Sequence, residues 1–400
     1  MKPVEILKEL IKFRSLTPHE DGAFNYISML LGDFNESRFE LNGVTNVLFS
    51  KRFSDGPHLC FAGHIDVVPP GEGWASDPFV PVESDGFIYG RGAQDMKSGI
   101  AAAICALASA QSFDGTLSLL LTSDEEGEGI YGTKEMLAKL REEGLLPDFA
   151  IVAEPSCEVR FGDTIKIGRR GSVNVALTIT GTHGHAAYPA KCINPAHILA
   201  PALARLAGHD LDDGDESFAP SKIVITDIRG GTEIANITPK DVRVMFNVRG
   251  GINLKLDEIR DYVLALFAVS AENALCSESE SFGKREMSCT AQLKEGASLS
   301  LTLKSASKPF LTDKNSKIVQ RLSASVQKIY GAAPELNTAG GTSDARYFAE
   351  LGVETAEFGV RNDRVHQINE RVETGDVENL AKIFSDLIAN FNTVDSEVDR

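Results

Sequence analysis

The chain opens on "MKPVEILKELIKFRS", where apolar residues recur at helical spacing between charged ones, the pattern of an amphipathic helix. Apolar, β-prone runs follow at "VLFSKR" and "HLCFAGHID", and both read as strands. "KSGIAAAICALASA" and "GTKEMLAKLREEG" read as helices, with the strand-like "TLSLLLTS" between them and the strand-like "DFAIVAE" after them. Strands alternating with helices predict a mostly parallel sheet covered on both faces. From Ser172 the texture changes. "SVNVALTITG" alternates small or polar with apolar residues, as a half-exposed antiparallel strand does. The helix-like "INPAHILAPALARLAG", two strand-like runs ("SKIVITDIRG" and "DVRVMFNVRG") and the helix-like "LKLDEIRDYVLALFAVSAENAL" complete a small α+β sandwich. Beyond Lys304 helices again alternate with short strands. The pattern therefore predicts an α/β domain over 1–171 and 305–400 that carries an inserted domain over 172–304. "SESESFGKREMSCTAQLKEGAS", residues 277–298, is polar and reads as a mobile excursion, and the acidic end "NTVDSEVDR" reads as disordered.

Composition narrows the function. The 400 residues carry 40 basic against 57 acidic side chains, a net charge of −17, which argues against nucleic-acid or membrane-surface binding. An anionic small molecule remains possible through a local basic pocket. The first residues lack the uninterrupted apolar stretch and cleavage site of a signal peptide, so a cytoplasmic protein is expected. The six cysteines, at 60, 105, 157, 192, 276 and 289, show no CxxC spacing and read as reduced thiols.

In an open parallel sheet, ligands collect beyond the carboxyl ends of the strands. His64 and Asp66 follow "HLCF"; Asp124, Glu125 and Glu126 follow "LSLLLTS"; Glu154 follows "AIVA"; His366 follows "AEFGV". Asp95 precedes a helix in "GRGAQDMKSG". Each position alone has an ordinary explanation: a satisfied buried histidine, a solvated acidic turn, a helix cap. Metal-ligating side chains at every one of these strand ends together point to a metal site.

The blocks "GHIDVVPPGEGW", "YGRGAQDMKSG", "TSDEEGEG" and "AEP" resemble the metal-binding blocks of the dinuclear-zinc aminoacylase/carboxypeptidase superfamily. "IGRRGS", "GHAAYP", "GGTSDARYF" and "HQINE" are similar to those of its succinyl-diaminopimelate desuccinylase family. The resemblance implies a zinc-peptidase-like catalytic domain and a ferredoxin-like inserted domain that serves as dimerisation surface and lid. It implies two divalent cations per subunit, zinc foremost, with cobalt or manganese as alternatives. Asp95 would bridge them, His64 and Glu154 would complete one site, and Glu126 and His366 the other. Asp66 would hold the second ring nitrogen of His64, and Glu125 would be the general base. Arg169 would bind a substrate carboxylate, with Ser172, Asn236, Gly341, Thr342 and Asn362 as further substrate contacts. Arg170, beside it, reads as structural. His185 would reach the partner subunit's site in a homodimer and stabilise the oxyanion, whereas the nearby His183 reads as incidental. The implied reaction is removal of succinate from N-succinyl-LL-2,6-diaminopimelate. Acetylornithine deacetylase, aminoacylase and dipeptidase activities use the same scaffold, and an inactive metal-binding relative is the alternative of another class.

Overall fold

The strand His58–His64 is apolar along its length, and every residue from Leu59 to His64 is buried. Thr116–Thr122 is likewise buried from Leu117 onward. Consecutive residues of a strand point to opposite faces, so both faces of the sheet are covered here. In the computed structural model, which describes residues 2–281, 284–294 and 296–392, these two strands lie inside an eight-stranded sheet. Its order is Asn35–Leu41, Val44–Arg52, Thr116–Thr122, His58–His64, Phe149–Val152, Glu354–Glu357, Thr164–Lys166 and Glu335–Asn337. The three neighbouring pairs running from Thr116–Thr122 to Glu354–Glu357 are parallel, as is the pair at the Glu335–Asn337 edge. The mostly parallel sheet expected from the alternation is present. Helices Pro3–Lys12, Lys97–Ser109 and Thr374–Asn390 pack on one another beside it.

The chain forms two units: Met1–Gly168 with Thr312–Asn337 and Ser343–Arg400, and Arg169–Leu311 with Thr338–Thr342. The first holds the eight-stranded sheet. The second holds an antiparallel sheet ordered Lys222–Gly230, Asp241–Gly250, Gly171–Thr180, Ser298–Ser307, Lys284–Gln292 and Leu275–Ser281. Alternate residues Val175, Leu177, Ile179, Val244, Phe246, Val248, Leu299, Leu301 and Leu303 form its buried face, together with Leu199, Leu206, Ile259 and Val263 from helices Pro195–Leu206 and Leu256–Ala265.

Three expectations are corrected. Residues 277–298 are not an excursion: they contribute the hairpin Leu275–Ser281 and Lys284–Gln292, which extends the sheet at its edge. Met287, Cys289 and Ala291 alternate inward beneath an otherwise polar surface. Cys276 and Cys289, opposite one another in that hairpin, are joined by a disulfide, so the chain is not uniformly reduced; Cys60, Cys105, Cys157 and Cys192 are not disulfide-bonded. Cross-strand register creates this pair, and no sequence spacing announces it. The helix read through to Leu275 stops at Ala265. Ala268 turns left-handed (φ +54°), and the amides of Ala268 and Val269 donate back to Ala265 and Leu264. That is a Schellman stop made without the usual glycine. The acidic end 393–400 lies outside the described residues, among which no helix is long and apolar enough to cross a membrane.

Candidate metal centre

His64 is the last residue of its strand and is 1% exposed. Its parallel neighbours end at Thr122 and Val152, so Glu125, Glu126 and Glu154 emerge at the same sheet edge. Asp95 arrives from the loop ahead of helix Lys97–Ser109. That helix approaches Glu154's strand so closely that a Cβ on Gly99 would lie 2.1 Å from the Ala153 carbonyl oxygen. Only glycine permits the approach. His366 follows the strand Glu354–Glu357 and sits in the left-handed region at φ +62°, a conformation that the surrounding structure must enforce.

The donors converge. His64 Nε2 lies 3.2 Å from Asp95 Oδ1, 3.8 Å from Glu154 Oε1 and 4.0 Å from Glu125 Oε2. His366 Nε2 lies 2.9 Å from Glu126 Oε1 and 3.3 Å from Asp95 Oδ2. The two oxygens of Asp95 thus face one imidazole each. Among the described residues, His64, Asp95 and Glu126 form a group whose donor atoms all lie within 4.8 Å of one another.

The electrostatics of this cluster call for positive charge. Burial alone would lower the pKa of His64, but the hydrogen bond to Asp95 and the charges of Glu125, Glu154 and Asp66 raise it well above the usual histidine value. Hydrogen bonds to Asp95 and Glu126 push His366 up to about 10. Burial raises Glu125 and Glu154 far above ordinary carboxylates, reinforced by Asp344, Glu126 and Asp95 for the first and by Asp95 for the second. Asp95 goes the other way: burial would raise it, yet the two histidines hold it well below the usual range.

These residues fit a pair of divalent cations. Imidazole nitrogen and carboxylate oxygen suit zinc, and donors around a tetrahedral ion with bonds of about 2.0–2.1 Å lie roughly 3.3 Å apart, close to both histidine–Asp95 separations.

One expected contact is made differently. His64 Nδ1 lies 2.9 Å from the backbone carbonyl of Asp66, while the Asp66 carboxylate is 3.6 Å away. That carboxylate instead accepts the amides of Glu125 and Glu126, at 3.4 and 3.1 Å. Being fully buried and acceptor-only, it orients the turn that bears both glutamates. Two further residues, Asp124 and Glu370, serve as anchors of backbone, a role the sequence does not mark. Asp124 accepts the amides of Gly129, Ile130 and Tyr131, and Glu370 accepts those of Gly92, Gln94 and Asp95. Both lie within blocks already singled out, "TSDEEGEG" and "HQINE".

The residues expected to touch substrate are distributed over both units. In the second unit, buried Arg169 donates from Nη1 to the Ala339 carbonyl at 2.7 Å, in the segment that bears Gly341 and Thr342. Ser172 Oγ accepts from Asn247 at 2.9 Å. His185 and Asn236 come together: His185 pairs with Ile237 across a short ladder, and the Ala186 amide donates to the Asn236 carbonyl. His185 is exposed, and its Nδ1 accepts from the Ala187 amide. His183 is turned to the Thr238 carbonyl. Asn362 lies in the first unit, its amide bonded to the Cys157 carbonyl.

This sheet-edge cluster of histidines and carboxylates is the setting of a metallohydrolase, and residues 60–390 match the family model described as peptidase family M20/M25/M40; the chain belongs to that family. A curated succinyl-diaminopimelate desuccinylase from Wolinella succinogenes is 51% identical over 385 residues, covering 96% of this chain and 98% of the relative. Among solved structures, aminopeptidase PepT from Bacillus cereus superposes with a TM-score of 0.77 at 21% identity, covering 98% of both chains. A Bacillus subtilis protein described as a dinuclear metal-binding peptidase of the same family gives 0.67 at 15% identity, again over 98% of both. At these identities the two structures establish the fold.

Proposed function

We propose that this protein is a metal-dependent amide hydrolase that removes succinate from N-succinyl-LL-2,6-diaminopimelate, yielding LL-2,6-diaminopimelate for diaminopimelate and lysine biosynthesis. The observation that carries the hydrolytic reading is the Asp95 carboxylate placed between two histidines. The near-full-length similarity at about half identity to desuccinylases carries the substrate. His64, Asp95 and Glu154 would hold one cation, and Asp95, Glu126 and His366 the other. Zinc suits these donors best, with cobalt or manganese as alternatives. When bound, such a pair supplies Lewis-acid polarisation of water and of the amide carbonyl.

The protein's own groups do the rest. Glu125, half-buried beside the donor cluster with Oε2 4.0 Å from His64 Nε2, accepts a proton from the attacking water and returns it to the departing amine. Asp66 keeps Glu125 and Glu126 in register through their amides. Arg169 offers a guanidinium to a substrate carboxylate, for which its planar fork is suited. Ser172, Asn236, Gly341, Thr342 and Asn362 contribute further substrate contacts. In this reading the protein works in the cytoplasm as a homodimer built on the inserted unit. His185 of each subunit completes the partner's site as an oxyanion donor, a role typically worth about 10²–10³ in rate.

Initial rates on N-succinyl-diaminopimelate and on N-acetylornithine test the substrate. Turnover of the first with little of the second is expected, and the reverse preference would assign the chain to a sibling activity. The dimer is tested by mixing His185→Ala with Glu125→Gln subunits. One of the two sites in the mixed dimer regains both groups, so activity should rise well above either parent. No recovery after demonstrated exchange would contradict completion across the interface.

A further inference from the structure

Arg91 and Glu370 form a fully buried ion pair, with Arg91 Nη1 2.7 Å from Glu370 Oε2 and both residues at most 1% exposed. Burying two charges is costly, and such a pair is weak support for stability when an apolar pair of similar volume would serve. What distinguishes this pair is where its remaining hydrogen bonds go. Glu370 accepts the amides of Gly92 at 3.0 Å, Gln94 at 2.8 Å and Asp95 at 3.0 Å, so it grips the loop that ends in the shared aspartate. Arg91 donates to the carbonyls of His366 and Gln367, both at 3.4 Å, and to Pro70 at 3.2 Å. The same Pro70 carbonyl accepts from Trp74 Nε1 at 2.7 Å, and the Trp74 ring lies 5.2 Å from the guanidinium. The pair therefore ties together the segment leaving His64, the loop carrying Asp95 and the left-handed turn carrying His366.

We propose that Arg91 and Glu370 are positioning residues that set the separation between Asp95 and His366, and so the affinity of the site for its second cation. This rests on the metal-centre reading above. A cation held by Asp95, Glu126 and His366 needs the Asp95 carboxylate and the His366 imidazole at a fixed spacing. His366, at 49% side-chain exposure, has little packing of its own to supply it. The Glu370 carboxylate supplies it from one side through three amides, and the Arg91 fork from the other through two carbonyls. Partners that orient metal-binding groups in this way typically govern about 10–100-fold in affinity.

The test is metal binding by the full-length chain, read without substrate. Glu370→Gln keeps one acceptor oxygen but turns an amide NH₂ toward Arg91 and the Gly92 amide, where only an acceptor is satisfied. Equilibrium dialysis with zinc or cobalt should show two cations in the parent. In the variant one should bind about 10–100-fold more weakly while the other is retained. Arg91→Lys keeps the charge but loses the fork, and should weaken the same cation to a smaller degree. It also provides the folded variant if Glu370→Gln does not fold. Leu322→Ala, a core truncation in helix Lys317–Tyr330, controls for plain destabilisation: it should lower the unfolding temperature yet leave both affinities unchanged. Two unchanged affinities in folded Glu370→Gln or Arg91→Lys protein would overturn the positioning role alone. Failure of the parent to bind two cations would instead overturn the metal-centre reading.

Discussion

Glu125→Gln is expected to retain both cations and to lose turnover by about 10²–10⁴-fold, the usual worth of positioned acid–base catalysis. The substitution preserves shape and leaves the Glu125 amide bonded to Asp66, but an amide cannot accept the proton. Glu125 Oε2 stands 4.0 Å from His64 Nε2, at the edge of the donor cluster. Its surroundings prepare it: burial and the charges of Asp344, Glu126 and Asp95 favour the protonated carboxyl, against the opposing pull of His64. Cations held by the neighbouring donors would offset these negative charges and leave Glu125 ionised, able to take a proton from water and deliver it to a leaving amine. Metal content by elemental analysis and kcat measured on one preparation decide the matter. A variant with parental kcat would remove Glu125 from proton transfer, and a variant lacking one cation would make it a ligand instead.

Much of this arrangement is legible along the chain, because the strands that position it are buried on both faces. Leu59–His64 and Leu117–Thr122 are near-continuous apolar runs, so a polar residue at their ends stands out. His64, Glu125, Glu126 and Glu154 declare themselves that way, and the structure brings them together with Asp95 and His366. The residues that aim them are less visible. Glu370 and Asp124 act through backbone amides presented by loops, and an amide leaves no mark in the sequence. Asp66 was recognisable as a neighbour of His64, but which oxygen would face the ring depends on where the Glu125–Glu126 turn lands, a long-range property. The same limit hid the hairpin at 275–292: its strand Leu275–Ser281 alternates serine with charged residues on an edge, and little apolar contrast marks the pattern. Ala268 illustrates the local version, since nothing in an alanine announces a left-handed stop.

Removing the cations should have an effect comparable with losing the base. Five carboxylates surround the two histidines: Asp66, Asp95, Glu125, Glu126 and Glu154. Without cations the two imidazoles offset part of that charge by holding protons, and burial favours the protonated forms of Glu125 and Glu154. A protonated imidazole polarises neither water nor an amide carbonyl as a divalent cation does. The lost stabilisation is several kcal/mol, or at least about 10³-fold in rate, and the fold should survive because Asp66, Asp124 and Glu370 hold the loops of the cluster through backbone amides without any cation. Circular dichroism of the metal-free protein checks the second part.

The most direct measurement follows succinate release while zinc is titrated into exhaustively chelated protein. The account predicts a rate near zero at the start and a rise that reaches its plateau only when two equivalents per chain are bound. Full turnover before any cation is added would contradict it.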